Sequence, residues 1–331
     1  MTLRQPFVCN QMLTRGFTTA RDCGGASQAL KVALADGIFP GPRLFIAGHA
    51  LSQSGGHGDH RSSMDETQCC GGHTQAVGRL CDGVPECLKF AREELRCGAD
   101  FLKIMGGGGV SSPNDRIEHL QFTDEEIQAI TAVARNCGTY TTCHAYTPQA
   151  IRHAIKNGVK GIEHGNLLDE ETAQLMKKEG VYLTPTLVTY FAMASQEFSH
   201  FLSPTSAKKN KEVLDGGLRA LKIAKDAGVT ICFGTDLLGG MVKMQTKEFV
   251  LRSQVLSAKD ILQSATVNAA HMLQREHDLG QIKPGFQADL LVLAQDPLKD
   301  IGSLDEPEKN ILAVIQDGRV VHGKLPTSVS R

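Results

Sequence analysis

Seven side chains able to act as ligands, acids or bases stand at or near the ends of short β-rich runs: Asp22, His49, Lys103, His144, His164, Thr186 and Asp236. Two imidazoles, a carboxylate and a lysine converging on one rim are the ligand types for a hard-to-borderline divalent metal. Each also has a plainer reading. His144 closing TYTTCH and His164 closing GIEH could be hydrogen-bonded strand-end residues, and Asp236 in FGTDLL could cap the following helix. Two histidines ending consecutive strands favour the ligand reading, because adjacent strands lie ~5 Å apart. In FLKIM, strand alternation puts Phe101, Lys103 and Met105 on one face. A buried ammonium is costly, so an interior lysine usually has a chemical task. A neutral lysine amine can take up carbon dioxide as a carbamate, a bidentate anion able to bridge two metals. A solvent-facing lysine on an edge strand is the competing reading.

These side chains need a scaffold that gathers strand ends. Short β-rich runs alternate with helical stretches, the pattern of parallel α/β architecture. Strands are predicted over 16–21, 43–48, 100–105, 140–144, 161–164, 181–186 and 229–235. Helices are predicted over 28–35, over 85–97 with Pro85 in the first turn and Gly98 just past the end, and over 123–136 from a capping box. Further helices end at Gly158, Gly180, Gly228 and about Leu273. The segment from His49 to Gly83, rich in Gly, Ser, His and Asp, reads as a long irregular loop of the functional kind. After residue 280 the grammar turns to β: 280–294 and 311–322, the second with an Asp317-Gly318 hairpin turn. The expected organisation is a barrel over 1–275 and a small β appendage over 276–331. Seven helix-linked strands are one short of a (β/α)8 barrel, whose catalytic residues sit at the C-terminal strand ends. An open sheet binding a dinucleotide would show G-x-G-x-x-G after its first strand, and Arg21-Asp22-Cys23-Gly24-Gly25 lacks that spacing.

Composition excludes other classes. The 331 residues carry 35 Lys+Arg against 36 Asp+Glu, a net charge of -1, which gives no electrostatic reason to expect nucleic acid or a membrane surface. With 41% hydrophobic and 21% charged residues, the chain is not disordered, fibrous or a coiled coil. No apolar stretch reaches the ~18 residues that span a bilayer. The opening MTLRQPFVCNQMLTRG has no signal-peptide core, so a cytoplasmic location is expected. Ten cysteines without C-x-x-C spacing do not read as zinc knuckles. Cys143 and Cys232 read as small hydrophobes in strand-like runs, and Cys69-Cys70 as a candidate redox pair in a Gly-rich loop.

Taken in order, GFTTARDCGG, GPRLFIAGHALSQSGGHGD, ADFLKIMGGGGV, CHAYT, GIEHGNLL, FGTDLLGG, ATVNAAHML and GQIKPGFQADLLVL resemble the metal-dependent amidohydrolase superfamily. Within it the chain looks like the imidazolonepropionase-like, Xaa-Pro or Xaa-Arg dipeptidase and ochratoxin-hydrolysing branch, from about Leu13 to Val321. The resemblance implies that Lys103 is a carboxylated bridging ligand, that His144 and His164 bind the second metal, and that Asp236 binds the first and serves as general base. It implies that His57 in GGHGD polarises the substrate carbonyl and that Tyr146 holds the substrate's terminal carboxylate. Zinc is the default metal for such donors. The implied reaction is attack of metal-activated water on an amide carbonyl, with Asp236 taking the proton and returning it to the leaving amine. The implied partner is a small carboxylate-bearing substrate, such as an N-acyl amino acid or a dipeptide; Arg61 and the His and Asp residues of its loop suit one.

The chain also departs from the family. Members carry an H-x-H pair at the end of the first barrel strand, whereas the first histidine here is His49. Lys103, His144 and His164 supply the three protein ligands typical of catalytic zinc, but the other site keeps only the carbamate and Asp236. One metal is therefore expected, or two if ligands come from elsewhere. A barrel without its first strand would expose edges near Thr18 and Ile231 and leave Leu290 to Leu293 unpaired. Three readings follow: a hydrolase whose N-terminal segment is missing from this sequence, a degenerate ligand-binding paralogue, or an interaction protein completed by another strand. Pairing in a homo-oligomer fits the open edges as well. The persistence of Lys103, His144, His164 and Asp236 favours the hydrolase.

Overall fold

A computed structural model describes residues 2–62, 64–65, 77–112, 114–198 and 200–325; the Cys69-Cys70 pair lies outside them. The strands are β1 Thr19–Asp22, β2 Arg43–Ile46, β3 Ala50–Ser52, β4 Gly78–Leu80, β5 Leu102–Met105, β6 Thr141–Ala145, β7 Gly161–His164, β8 Tyr182–Thr184, β9 Leu290–Leu293, β10 Ile311–Gln316 and β11 Arg319–Gly323. The helices are α1 Gln5–Thr14, α2 Gln28–Ala35, α3 Gly83–Arg96, α4 Asp124–Asn136, α5 Pro148–Lys156, α6 Glu170–Glu179, α7 Leu187–Ala194, α8 Pro204–Ala227, α9 Lys247–Ser253, α10 Ala258–Ala265, α11 Val267–Met272 and α12 Pro307–Asn310.

Local chemistry fixes many of these boundaries. Helix α4 opens on a reciprocal capping box between Thr123 and Glu126. Helices α6 and α8 end on Gly180 and Gly228 in the left-handed conformation, where a Cβ would be strained. Asp317 and Gly318 both take positive φ, the geometry that closes a two-residue hairpin between β10 and β11.

Strands β4, β3, β5, β6, β7 and β8 form a parallel sheet in that order. Beside it β1 and β2 form a parallel ladder of their own. The Asp100 amide donates to the Ile46 carbonyl at 2.7 Å, tying β2 to the entrance of β5. At the far side Leu183 of β8 bridges Ile231 in parallel. Apolar helix faces cover this layer, with Ile104, Ile127, Ile130, Ile151 and Ile162 wholly buried in one core cluster. Strands β9, β10 and β11 make a separate antiparallel sheet.

Several expectations change. The segment from His49 to Gly83 contains β3 and β4, paired to each other in parallel. The expected strand over 229–235 is reduced to the bridge at Ile231. Two backbone bonds hold it to β8, from the Leu183 amide to the Thr230 carbonyl at 3.0 Å and from the Cys232 amide to the Leu183 carbonyl at 2.8 Å, and wholly buried Arg252 adds bonds to the Cys232 carbonyl at 3.0 Å and the Pro185 carbonyl at 2.7 Å. Leu290 to Leu293 is not left unpaired but forms β9 against β10. Among the described residues β1 pairs with β2 alone. The Phe17 ring, two residues ahead of β1, lies 5.8 Å from Phe233 and 6.3 Å from Phe249. Among the described residues no helix is long and apolar enough to cross a membrane.

Candidate active site

Strand geometry carries most of the site. On β6, alternation turns Thr142 and His144 to the same side. On β7 it would send Glu163 inward and His164 outward, yet the two rings of His144 and His164 lie 4.7 Å apart. The difference is backbone conformation: His164 has φ 76°, which swings its side chain back toward its neighbour. Asp236 likewise has φ 49°. Left-handed backbone at a non-glycine residue costs on the order of 1–3 kcal/mol and clusters at functional sites.

His57, His144, Tyr146, His164, Tyr190 and Asp236 line one cavity of about 350 Å3, its open mouth included. The His57 ring stacks on His144 at 4.2 Å, and Tyr146 meets His144 edge-on at 4.8 Å. The Tyr190 hydroxyl donates to that of Tyr146 at 2.9 Å. Lys103 lies behind this lining, 3% exposed, and among the described residues its ammonium has no hydrogen-bond or ion-pair partner.

Burial, aided by the Lys103 charge, holds His144 and His164 well below the ordinary imidazole range, so both are neutral. Asp236 faces solvent on one side, while crowding by protein on the others, with Glu163 and Asp22 nearby, pushes its carboxyl up to about 6 against the pull of Lys103. Beside these groups lies a second cluster. Arg21 donates to Glu163 at 2.7 Å and to Thr184 at 3.4 Å and lies over the Phe101 ring, while Thr142 donates to Glu163. Burial would raise the Glu163 carboxyl; Arg21, Lys103 and Thr142 outweigh it and hold it below its usual value.

The donors suit a divalent ion. His144 Nε2 lies 3.1 Å from the Gly108 carbonyl, an acceptor, so that nitrogen carries the proton and Nδ1 keeps its lone pair. His164 Nδ1 is taken by the Thr186 hydroxyl at 2.7 Å, leaving Nε2. Such outer partners orient imidazole ligands in metal sites. Among the described residues no three His, Cys, Asp or Glu side chains stand together as a metal cage.

The sequence matches the amidohydrolase family over residues 4–321. The chain belongs to the amidohydrolase family. It is 32% identical over 327 residues to ochratoxinase of Aspergillus niger, spanning 95% of this chain and 67% of that one. A solved prolidase complexed with N-methylphosphonate-L-proline shares 42% identity, with TM-score 0.95 over 98% of this chain and 80% of the other. A solved Xaa-Pro dipeptidase with methionine in its active site shares 31%, with TM-score 0.86 over 96% and 78%. Membership makes the chain a hydrolase, and these relatives support action on amide bonds. Amidohydrolases are in general metal-dependent and act on small molecules.

Of the residues singled out in the sequence, the amidohydrolase fold brings His57, His144, Tyr146, His164 and Asp236 to the cavity, with Lys103 behind them. His49 goes elsewhere: its Nδ1 lies 3.2 Å from Glu94 of α3, which also pairs with Arg79 at 3.0 Å. Asp22 turns to its own loop and accepts from Gly24 and Ala26. Thr186 supports His164. Sequence reading missed Ser112, Asp115, Tyr190 and Lys209. The glycine run before Ser112 was a signal: a Cβ at Gly109 would strike the His57 ring, and one at Gly108 the Arg116 carbonyl. Lys209, mid-helix and far along the chain, gave none.

Proposed function

We propose that this amidohydrolase cleaves the amide bond of a small carboxylate-bearing substrate, a dipeptide or an N-acyl amino acid. Lys103 as its carbamate, His144, His164 and Asp236 would hold one divalent metal, zinc by donor type, and a second only with ligands from elsewhere. The metal, when bound, supplies a Lewis acid and activates water near neutral pH. Asp236, at the mouth of the cavity, takes the proton of the attacking water and passes it to the leaving amine. Tyr146 accepts its neighbour's hydroxyl proton, which leaves its own O–H to give to the substrate's carboxylate. On this reading the parallel strands and the Ile231 segment are a (β/α)8 barrel with one strand position taken up by aromatic side chains. The barrel ends near residue 275, and β9 to β11 belong to a composite β-sandwich.

The observation that carries the reading is Lys103, buried without a partner beside two neutral imidazoles. The test is metal content by mass spectrometry on the purified, monodisperse chain produced with zinc and bicarbonate, beside Lys103→Ala. About one metal per chain, lost in the variant, with turnover of dipeptides or N-acyl amino acids, is the expected result. Equal metal in parent and variant would remove Lys103 from the ligand set. Metal bound without turnover of any amide would favour the alternative, a catalytically impaired homologue that works by binding.

A further inference from the structure

Apart from its polar residues, the cavity is walled by carbon. Val110, Met193, Phe201 and Leu238 line it from four separate segments: the glycine-rich loop after β5, the end of α7, the connection into α8 and the loop after Asp236. Val110 and Met193 are buried and pack in one apolar cluster with Tyr146 and Tyr190. This part of the wall is set before any ligand arrives. Lys209 of α8 donates to the carbonyls of Gly109, Ser112 and Asp115 at 2.8, 3.0 and 2.8 Å, which fixes the loop on both sides of Val110. Asn210 donates to the Tyr190 carbonyl at 3.0 Å and ties α7 to α8.

Core packing accounts for Val110 and Met193 but not for Phe201 and Leu238, which are 42% and 41% exposed beside the same cavity. Large apolar side chains left open around one pocket are shielded from water when an apolar ligand enters. Among the described residues Asp236 is the one carboxylate on the lining, no Lys or Arg joins it, and the proposed reaction already engages it. A charged substrate side chain entering here would go unpaired, at a heavy desolvation cost. The space is small as well: about 350 Å3 with its mouth included, near the lower end of ligand pockets at roughly 300–1,000 Å3.

We propose that Val110, Met193, Phe201 and Leu238 form a side-chain subsite that selects an uncharged, apolar residue on the carboxylate-bearing half of the substrate. Tyr146 sets which half. The tyrosine assigned to the carboxylate belongs to the same cluster as Val110 and Met193, so the side chain of the residue carrying that carboxylate falls against them. The substrate class narrows to N-acyl or aminoacyl derivatives of amino acids such as leucine or norleucine, and derivatives of lysine, arginine and glutamate are refused. Cleavage of such substrates rests on the hydrolase reading; the preference in binding is measured apart from it.

The test sets L-norleucine against L-lysine and L-glutamate by calorimetry on the full, zinc-loaded chain. Norleucine has lysine's carbon chain without the terminal ammonium, and none of the three has an amide bond to cleave. Norleucine should bind about 10-fold or more tightly than either charged ligand, and kcat/KM for the three N-acetyl derivatives should follow the same order. Lysine or glutamate binding as tightly as norleucine, or no binding of any of the three, would overturn the proposal. Met193→Glu supplies a partner for an ammonium and should shift the norleucine-to-lysine ratio toward lysine by about 10-fold. Phe201→Glu, at an exposed position that admits a charge, makes the same measurement should Met193→Glu not fold. An unchanged ratio in the folded variants would overturn the subsite. The expected binding order without cleavage of any N-acetyl derivative would count against the hydrolase and leave the subsite standing.

Discussion

Arg21, Thr142, Glu163 and Thr184 occupy one part of the interior; Lys103, His144, His164 and Asp236 stand beside them at or near the strand ends. In the first group a 2.7 Å ion pair with both side chains under a tenth exposed is flanked by two hydroxyls and an aromatic face. In the second, an equally buried ammonium has no partner among the described residues, and each imidazole keeps a nitrogen without one. Buried polar groups in proteins are overwhelmingly hydrogen-bonded, so the unequal treatment of neighbours calls for a cause. The paired cluster is explained by folding alone. The unpaired one is what the proposed metal site would leave bare until its ligand is bound.

The contrast is most exposed at Lys103. Lys103→Met should cut amide hydrolysis by about 10³-fold or more, roughly 4 kcal/mol, and abolish metal binding. Its folding stability should hold or rise, because a costly unpaired charge is gone. Urea unfolding of the metal-free proteins would settle this, and a large loss of stability would erase the distinction. Arg21→Met should do the opposite, costing about 3–5 kcal/mol of stability by stranding Glu163, with much of it recovered in Arg21→Met/Glu163→Gln. The same unfolding experiment measures both.

Thr186→Val sharpens the comparison at the ligand side. It removes the hydrogen bond to His164 at nearly constant shape, so metal affinity should fall about 10–100-fold in a chelator competition, with stability little changed. The smallest effect belongs to Asp22, whose carboxyl burial pushes up to about 6 against bonds from the Ala26 and Gly24 amides. A carboxyl raised on folding contributes stability that is complete below its unfolded value and lost as pH rises through 6. Asp22→Asn stays neutral throughout. It should melt with the parent below about pH 4 and above it beyond pH 6, by on the order of 1 kcal/mol.

How much could be read beforehand varied from residue to residue. The capping box at Thr123, the glycines closing α6 and α8, and the Asp317-Gly318 turn are set by contacts within a few residues, and their types alone announce them. His144 follows from alternation along β6. His164 does not: by alternation it would face away, and only its positive φ brings it to the cavity. His49 shared the strand-end signal but found Glu94 on α3, a partner far along the chain. The expected strand at 229–235 shortened for a related reason, since side chains from distant helices take its carbonyls, Asn268 that of Ile231 and Arg252 that of Cys232.

The sequence by itself determined the alternation of strands and helices, the family, and the residue types that meet in the cavity. Those properties depend on local conformational preference and on the order of motifs, both written along the chain. Tertiary structure alone decided which polar side chains are paired and which are left bare. It also decided that Lys209, from a distant helix, would anchor the loop behind His57. A hydrogen bond needs its partners within about 3 Å and correctly aimed, and for residues a hundred positions apart only the folded chain supplies that.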